Sequence, residues 1–395
     1  MNILYISYWG INDPLTISTV YPHLEILNSF ENIENIILVT IERNNQNTTN
    51  NTLKFNKVNH TPLCSKNFKN NVFNKISDFV YFPSALLKIT HQYKINKIIA
   101  RTSLAGALAF KLSKKTNIPF YVESFEPHAD YMIEAGVWKP YSLRAYFQKK
   151  WEQKQIKYAT AILPVSNNYK KKLMDDGVSE SKIFTIPCCV PIEKFRYAVE
   201  TRNTTRKQLN ISNDTIVGIY VGKFGGMYYE DEAFSIFKNS FDYFKNKFYL
   251  LIITPNDKKF ILEKINTCNI TTHNIFVSFV QHHEIPNYLS AADFAYAFYK
   301  PNFSAKFLSP IKNGEYWANG LPIFCPDNIG DDSEIIKREN GGAIYSLNET
   351  SIIGGLTKIN AIINTTNSKK NIAIIAEKHR NFSIVKNIYT TLFRN

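Results

Sequence analysis

Lys312 and Glu315, three residues apart, stand in the stretch Ser304-Ala305-Lys306-Phe307-Leu308-Ser309-Pro310-Ile311-Lys312-Asn313-Gly314-Glu315-Tyr316-Trp317-Ala318-Asn319-Gly320-Leu321-Pro322-Ile323. Ser309 and Pro310 read as the N-cap and first position of a helix, which puts Lys312 in its first turn. Unpaired N–H groups and the positive dipole end at such a terminus favour a phosphate, and the ammonium adds a point charge to the same group. Glu315, one turn further on, offers a carboxylate that accepts hydrogen bonds from a vicinal diol such as a ribose. Gly320 and Pro322 then end the helix and open a buried strand.

A second set of groups lies in Gly222-Lys223-Phe224-Gly225-Gly226-Met227-Tyr228-Tyr229-Glu230, between a strand and a helix. Gly225 and Gly226 permit a diphosphate to approach the backbone, although a glycine pair after a strand also makes a plain turn. With Lys312, Lys223 would complete a diphosphate clamp. Such cations offset the negative charge that a departing diphosphate develops. The chain offers no D-x-D motif for a divalent metal, and the clamp makes one unnecessary. In the first half, Glu123-Ser124-Phe125-Glu126-Pro127-His128-Ala129-Asp130 follows a strand. His128 could hydrogen-bond a hydroxyl, and Glu126 or Asp130 could act as a base; a loop histidine with no chemical task is the competing reading. The opening loop Ser7 to Thr16 also follows a strand, with Gly10 and Asn12 as its candidate contacts. His282 and His283 are adjacent and point apart, so they share no metal. Asp327 to Asp332 reads mainly as capping for the next helix.

These groups are carried by alternating short apolar runs and amphipathic stretches. Strands fit Asn2 to Ser7, Asn35 to Ile41, Lys97 to Arg101, Pro119 to Glu123 and Ala161 to Val165, with helices near Ser18 to Asn28, Leu104 to Lys114 and Tyr141 to Tyr158. The polar run after Pro191 reads as a linker, 191–212. The beat restarts at Thr215 to Val221 and continues through Phe248 to Ile253, Asn274 to Phe279, Phe294 to Phe298, Leu321 to Phe324 and Gly342 to Tyr345. The predicted fold class is α/β, with two doubly wound domains, 1–190 and 213–368, whose strand C-terminal ends face each other across a cleft. A long C-terminal helix, 369–395, is expected to complete the first domain. Asn44 to Asn59 reads as a loop.

With 395 residues, 44% of them hydrophobic and 14% aromatic, the chain is too apolar for a disordered scaffold and long enough for two cores. No apolar run suits a membrane span and the N-terminus has no signal-peptide character, so a cytoplasmic location is expected. The five cysteines are scattered, without C-x-x-C spacing, which argues against structural zinc and a disulfide framework. Net charge is +14, divided as +9 over residues 1–195 and +5 over 196–395. Arg-rich clusters and RNA-module aromatics are missing, so nucleic acid is not the expected partner. Anionic membrane headgroups or a phosphate-bearing substrate remain, beside the plain reading of a lysine-rich composition.

The segment Lys312-x-x-Glu315-Tyr316-x-Ala318-x-Gly320-Leu321-Pro322-Ile323 resembles the donor-binding helix of the retaining GT-B glycosyltransferases of family four. Ala161-Ile162-Leu163-Pro164-Val165-Ser166, Lys182 to Pro187 and Tyr220-Val221-Gly222-Lys223 fall in a similar order. The resemblance implies a nucleoside-diphosphate-sugar donor as co-substrate, no cofactor or metal, and a glycan, lipid-linked or protein acceptor in surface-glycan assembly. It implies that Glu315 binds the ribose, that Lys223 is the basic residue after the first donor-domain strand, that Val280 and Gln281 bind the base through their backbone, and that His128 lies near the donor sugar. Where that family carries a first glutamate this chain has Phe307, and Ser304, Lys306 and Ser309 are the polar residues at hand to replace it. A sugar-nucleotide epimerase on the same fold and a catalytically silent nucleotide-sugar-binding partner are the alternatives.

Overall fold

The computed structural model describes residues 1–43, 55–66, 71–124 and 126–394, residues 71–76 by backbone alone. Most of the Asn44 to Asn59 stretch and all of Phe125 lie outside the described residues, whereas Val58 and Asn59 belong to a strand instead of a loop. Contacts divide the chain into two units: Met1–Ile133 with Trp138–Pro187 and Phe382–Asn395, and Glu134–Val137 with Cys188–Asn381.

In the first unit the strands are β1 (Asn2–Ser7), β2 (Asn35–Glu42), β3 (Val58–His60), β4 (Leu63–Cys64), β5 (Lys97–Arg101), β6 (Phe120–Ser124) and β7 (Ala161–Pro164). They lie in the order β3-β2-β1-β5-β6-β7, with β4 also pairing β2, and every pair is parallel. Parallel strands covered by helices are buried on both faces, which is why Ile3 to Ile6 and Ile36 to Val39 are continuous apolar runs at 0% exposure. The order reverses between β1 and β5, so the loops beyond Ser7 and Arg101 flank the switch point where such sheets bind ligands.

Glu123, at the end of β6 and 2% exposed, is the polar node of this unit. Tyr5 Oη donates to Oε2 at 2.7 Å, Arg101 Nη1 donates to Oε2 at 2.9 Å, and His23 Nδ1 lies 3.1 Å from Oε1, which Tyr389 Oη also reaches. Burial opposes the charge on Glu123, yet His23, Arg101 and the tyrosine hydroxyl hold its carboxyl well below the usual carboxylate range. Tyr389 belongs to helix Ser383–Phe393, so the carboxylate fastens the chain's last helix to the sheet.

The second unit repeats the plan with β8 (Ile216–Val221), β9 (Phe248–Ile253), β10 (Ile275–Ser278), β11 (Phe294–Tyr296), β12 (Ile323–Pro326) and β13 (Gly342–Tyr345), ordered β10-β9-β8-β11-β12-β13 and again parallel. Its core is strongly aromatic, with Phe234, Phe237, Phe248, Phe294, Tyr296 and Phe298 packed in one cluster.

Two expected boundaries move. The 191–212 linker holds helices Ile192–Phe195 and Val199–Gln208, and belongs to the second unit. Arg202 and Arg206 fix it there: both guanidinium groups reach Asp293, at 2.7 Å each, and Arg206 also donates to the carbonyls of Ala291, Ser212 and Thr215. The single C-terminal helix is two, Ser368–His379 and Ser383–Phe393, and the first stays with the second unit because it packs against helix Ile311–Ala318. Helix Asn71–Gln92 and strands β3 and β4 have no counterpart in the apolar pattern.

Replacing Glu123 by Ala leaves the Arg101 guanidinium buried without its counter-charge, and removal of one partner of such a pair costs about 3–5 kcal/mol. Urea unfolding of Glu123→Ala should register a loss of that size, against a much smaller one for substitution of the exposed Glu34.

Candidate functional site

In the second unit the order of strands reverses between β8 and β11; the loops that leave these two strands carry Lys223, Gly225 and Ser309, and the helix after the second loop carries Lys312 and Glu315. Loop 222–230 folds back along the segment after β11. Tyr229 donates its N–H to Phe298 O at 3.1 Å, Lys300 donates to Met227 O at 3.0 Å, and the rings of Tyr228 and Tyr299 pack at a tilt of 53° with centroids 5.1 Å apart. Gly225 (φ +84°) and Gly226 (φ +64°) adopt the left-handed conformation that this reversal needs. The Gly225 N–H, expected to face a diphosphate, donates instead to Tyr229 O at 3.3 Å and closes the turn. Lys223 is exposed beside it.

Helix Ile311–Ala318 brings Lys312 to the same place. A Cβ on Gly222 would lie 2.6 Å from Lys312 Nζ, so the ammonium packs directly against the Gly222 backbone. Nζ lies 5.2 Å from the centroid of the Tyr228 ring. Burial lowers the Lys312 pKa to about 8, with Lys223 adding to the fall and Glu315 opposing it. Tyr316 holds the helix against β8, its hydroxyl accepting from the Val221 N–H at 3.1 Å.

Ser309 is not the cap of this helix. Pro310 occupies the N-cap position, and Ser309 Oγ accepts from the Cys188 N–H at 3.0 Å and from Arg380. Arg380 also pairs with Asp332, whose other oxygen accepts from Asn313 Nδ2 at 2.8 Å. The hydroxyl expected to meet a phosphate thus anchors the chain before the helix. Asp332, read as a helix cap, is a fully buried ion-pair partner.

Glu315 is 5% exposed and one of its oxygens lies 3.2 Å from His282 Nε2. The hydrogen bond to Glu315 raises the His282 pKa, with burial and Lys194 working against it. His282 thereby ties the loop after β10 to the helix of Lys312, a link the sequence does not reveal because the two residues are 33 positions apart. Of the two residues expected to bind a base, Gln281 is exposed and its N–H donates to Glu284 at 3.0 Å, while Val280 is half-buried. Phe307 is 2% exposed, and Lys306 Nζ lies 3.8 Å above the neighbouring Phe303 ring. Ser304 is buried with an Oγ that has no hydrogen-bond partner among the described residues.

In the first unit, His128 opens helix His128–Glu134 and Glu126 precedes it. His128 Nδ1 lies 2.6 Å from Glu126 Oε1, and the ring packs edge-on against Trp138 at 5.3 Å. Burial lowers the His128 pKa, but the Glu126 hydrogen bond and charge, joined by Glu152, outweigh it and leave it raised. Glu152, absent from the sequence expectations, accepts from Gln148 Nε2 at 2.7 Å and from the Ala129 N–H at 3.3 Å. Burial pushes its pKa up to about 7. Its signal was only that of a lone acid on a lysine-rich helix. Asp130 pairs with Lys149, and Gly10 abuts Glu42, whose carboxylate accepts the Ile11 N–H at 2.8 Å. Among the described residues, no three His, Cys, Asp or Glu side chains come together as a metal site.

No family model and no curated protein matches this chain. Among solved structures it is similar to the sucrose-phosphate synthase of Thermosynechococcus elongatus, with a TM-score of 0.74 and 14% identity over 100% of this chain and 98% of that one. Anabaena Alr3699/HepE in complex with UDP gives 0.73 and 12% over 99% of both. The UDP-GlcNAc 2-epimerase of Neisseria meningitidis bound to UDP-GlcNAc gives 0.66 and 12% over 100% of both. The chain thus has the GT-B fold, made of two Rossmann-like domains. A transferase and an epimerase share it, so the fold alone does not choose between them.

Because the folded state favours a protonated Glu152, its contribution is full below the ordinary carboxyl range and falls as pH rises through about 7. Thermal melts between pH 5 and pH 8 should therefore show a smaller loss of Tm with pH for Glu152→Gln than for the native chain; equal slopes would exclude this assignment.

Proposed function

We propose that the chain is a glycosyltransferase that moves a sugar from a nucleoside-diphosphate donor to a hydroxyl of a glycan, lipid-linked or protein acceptor, in the assembly of a surface glycan. The observation that carries this reading is the seating of the Lys312 ammonium over Gly222, three residues before the buried carboxylate of Glu315 on the same helix. A cation and a carboxylate so placed suit the diphosphate and the ribose of one nucleotide. The HepE structure, which holds UDP, adds fold-level support. Lys312 and the exposed Lys223 would meet the phosphate charge in place of a metal. Val280 and Gln281 are proposed to offer backbone groups to the base, and Gly225 acts through its turn rather than through its N–H.

By resemblance, transfer proceeds with retention. The acceptor oxygen bonds to the anomeric carbon on the face from which the diphosphate leaves, the carbon–oxygen bond to the diphosphate breaks, and a diphosphate oxygen takes the acceptor proton. Lys223 and Lys312 stabilise the charge that builds on the leaving group. His128, oriented by Glu126, is proposed to hydrogen-bond a hydroxyl. Glu126 would be the base in an inverting reaction, but its bond to His128 suits the orienting role better. The epimerase reading has the Neisseria structure in its favour, and incubation with donor alone separates the two, since only an epimerase alters its substrate without an acceptor. Phe307 motivates the silent-partner reading, which predicts nucleotide binding with neither transfer nor hydrolysis.

Thermal stabilisation across a panel of nucleoside diphosphates identifies the base, because a ligand at about 100 times its Kd adds about 2.7 kcal/mol. Against that nucleotide, Glu315→Ala should weaken binding about 10- to 100-fold, as the loss of hydrogen bonds to a charged group implies, whereas Lys223→Ala should lower turnover more than affinity. Unchanged transfer rates in both variants would falsify the assignment. Lys312 supplies a second check. Its ammonium is charged below about pH 8, so nucleotide affinity should fall as pH rises through that value, and Lys312→Met should bind weakly with this dependence removed.

A further inference from the structure

We propose that the pocket at the β1–β5 switch point of the first unit binds an oxyanion, a carboxylate or a phosphate, carried by the acceptor. The proposal rests on the transferase reading and narrows its substrate: the acceptor is an acidic or phosphorylated sugar and not a neutral one.

The pocket has a volume of about 200 Å³, less than the roughly 300 Å³ at which sites for whole small ligands begin. It suits one substituent of a larger molecule. The lining combines the Trp9 indole with one cation, Arg101, and the hydroxyl residues Ser7, Thr16, Thr19 and Thr102, and it includes no acid. Arg101 is 5% exposed, and its Nη1 donates to Glu123 Oε2 at 2.9 Å, which fixes the guanidinium at the end of β5.

Thr102 is the residue that points to a ligand. It is 6% exposed and lines the pocket, and its Oγ1 is buried with no hydrogen-bond partner among the described residues. A buried hydroxyl left unpaired is destabilising, and a ligand oxygen that accepts from it removes that penalty. The neighbouring hydroxyls are better served: Thr19 donates to Leu15 O at 2.6 Å, and those of Ser7 and Thr16 lie 3.5 Å apart. Thr102 also has φ +77°, in the left-handed region that a β-branched residue rarely occupies. Glycine would adopt this conformation without strain, so threonine here works against stability.

The backbone adds to the hydroxyl. Thr102 is the first residue of helix Thr102–Thr116, which has no acid in its first turn. Arg101 stands at the N-cap, where a guanidinium has only donors and gives no side-chain cap. The first-turn N–H groups and the positive end of the helix dipole therefore favour an anion beside Thr102. Guanidinium and N–H groups only donate, and the Thr102 hydroxyl has its proton to give. Such a set matches a group that only accepts, which an oxyanion does and a neutral sugar hydroxyl does not.

The test is methyl NMR of the full chain labelled at threonine, titrated separately with glucuronate, inorganic phosphate and glucose. The Thr102 and Thr16 methyls should shift and saturate with glucuronate or with phosphate, the tighter of the two naming the group, and glucose should leave them unmoved. A reporter inside the pocket keeps this binding distinct from any at Lys312. Thr102→Gly, which suits φ +77°, should melt at a higher temperature than the native chain, which shows that it folds. Read at the Thr16 methyl, it should bind the oxyanion about tenfold or more weakly, as the loss of a hydrogen bond to a charged group implies. Thr102→Ser keeps the hydroxyl and should bind like the native chain. Equal shifts with glucose, no shift with any of the three, or native affinity in Thr102→Gly would overturn the proposal. Oxyanion binding by a chain that no nucleoside diphosphate stabilises would sink the transferase reading and leave the site standing; nucleotide stabilisation without oxyanion binding would sink the site alone.

Discussion

Arg380 and Asp332 form a buried ion pair on which the position of helix Ile311–Ala318 depends. Asp332 is 0% exposed and Arg380 2%. Two charges taken so far out of water persist only when their remaining hydrogen-bonding capacity is used. Here most of it is used on the elements that set the helix: Asn313 in its first turn, Ser309 just before it, and the Cys188 carbonyl on the incoming chain, while Arg380 Nε has no hydrogen-bond partner among the described residues. Gly314 keeps the contact close, since a Cβ there would lie 3.0 Å from Val190 and 3.2 Å from Arg380. The far side of the helix is fixed by Tyr316 on the Val221 N–H and by Trp317 on the Gly341 carbonyl at 2.9 Å. Between these anchors Lys312 and Glu315 have little freedom, which is what preorganised recognition of a charged ligand requires.

The first unit uses two carboxylates in opposite ways. Glu123 is surrounded by a guanidinium, an imidazole and two hydroxyls, and stays ionised as a structural anchor. Glu152 has an amide and one backbone N–H, too little to offset burial, and titrates near neutrality beside His128. Residue type does not separate the two roles; the number and charge of the partners does. A group that changes charge near pH 7 within reach of a histidine and a second glutamate is the arrangement expected where protons are handled, and it gives the Glu126–His128 pair a context that a lone loop histidine would lack.

Much of the fold was legible because parallel, doubly covered strands must be continuous apolar runs. Asn2–Ser7, Lys97–Arg101, Phe248–Ile253 and Gly342–Tyr345 end where their hydrophobic stretches end. Lys312 and Glu315 were legible because both lie on one local helix. What escaped was non-local. Ser309 looks like a cap until Cys188, 121 residues away, and Arg380, 71 residues away, claim its hydroxyl. Residues 191–212 are polar enough to be a linker, yet their arginines find Asp293 roughly 90 residues downstream. Gly225 satisfies the pattern of a phosphate loop and spends its N–H on its own turn. The same degeneracy lets proteins of 12–14% identity share this fold, because many apolar sequences satisfy one strand order.

Charge distribution shows the same division between local and assembled features. A lysine-rich composition explains the excess of cations but not their placement. On helix Leu143–Tyr158 the one acid is turned inward and the outward lysines follow an exposed aromatic end. Random scatter of lysines would leave some acid on the outer face and would not align the exposed rings with it. Exposed aromatics carry a solvation penalty, and a clustered, acid-free lysine field carries self-repulsion. The overall charge of +14 thus resolves into Lys312, packed against Gly222, and the exposed Lys223 next in sequence, a distributed surface population, and one compact field on this helix and its neighbour Thr102–Thr116.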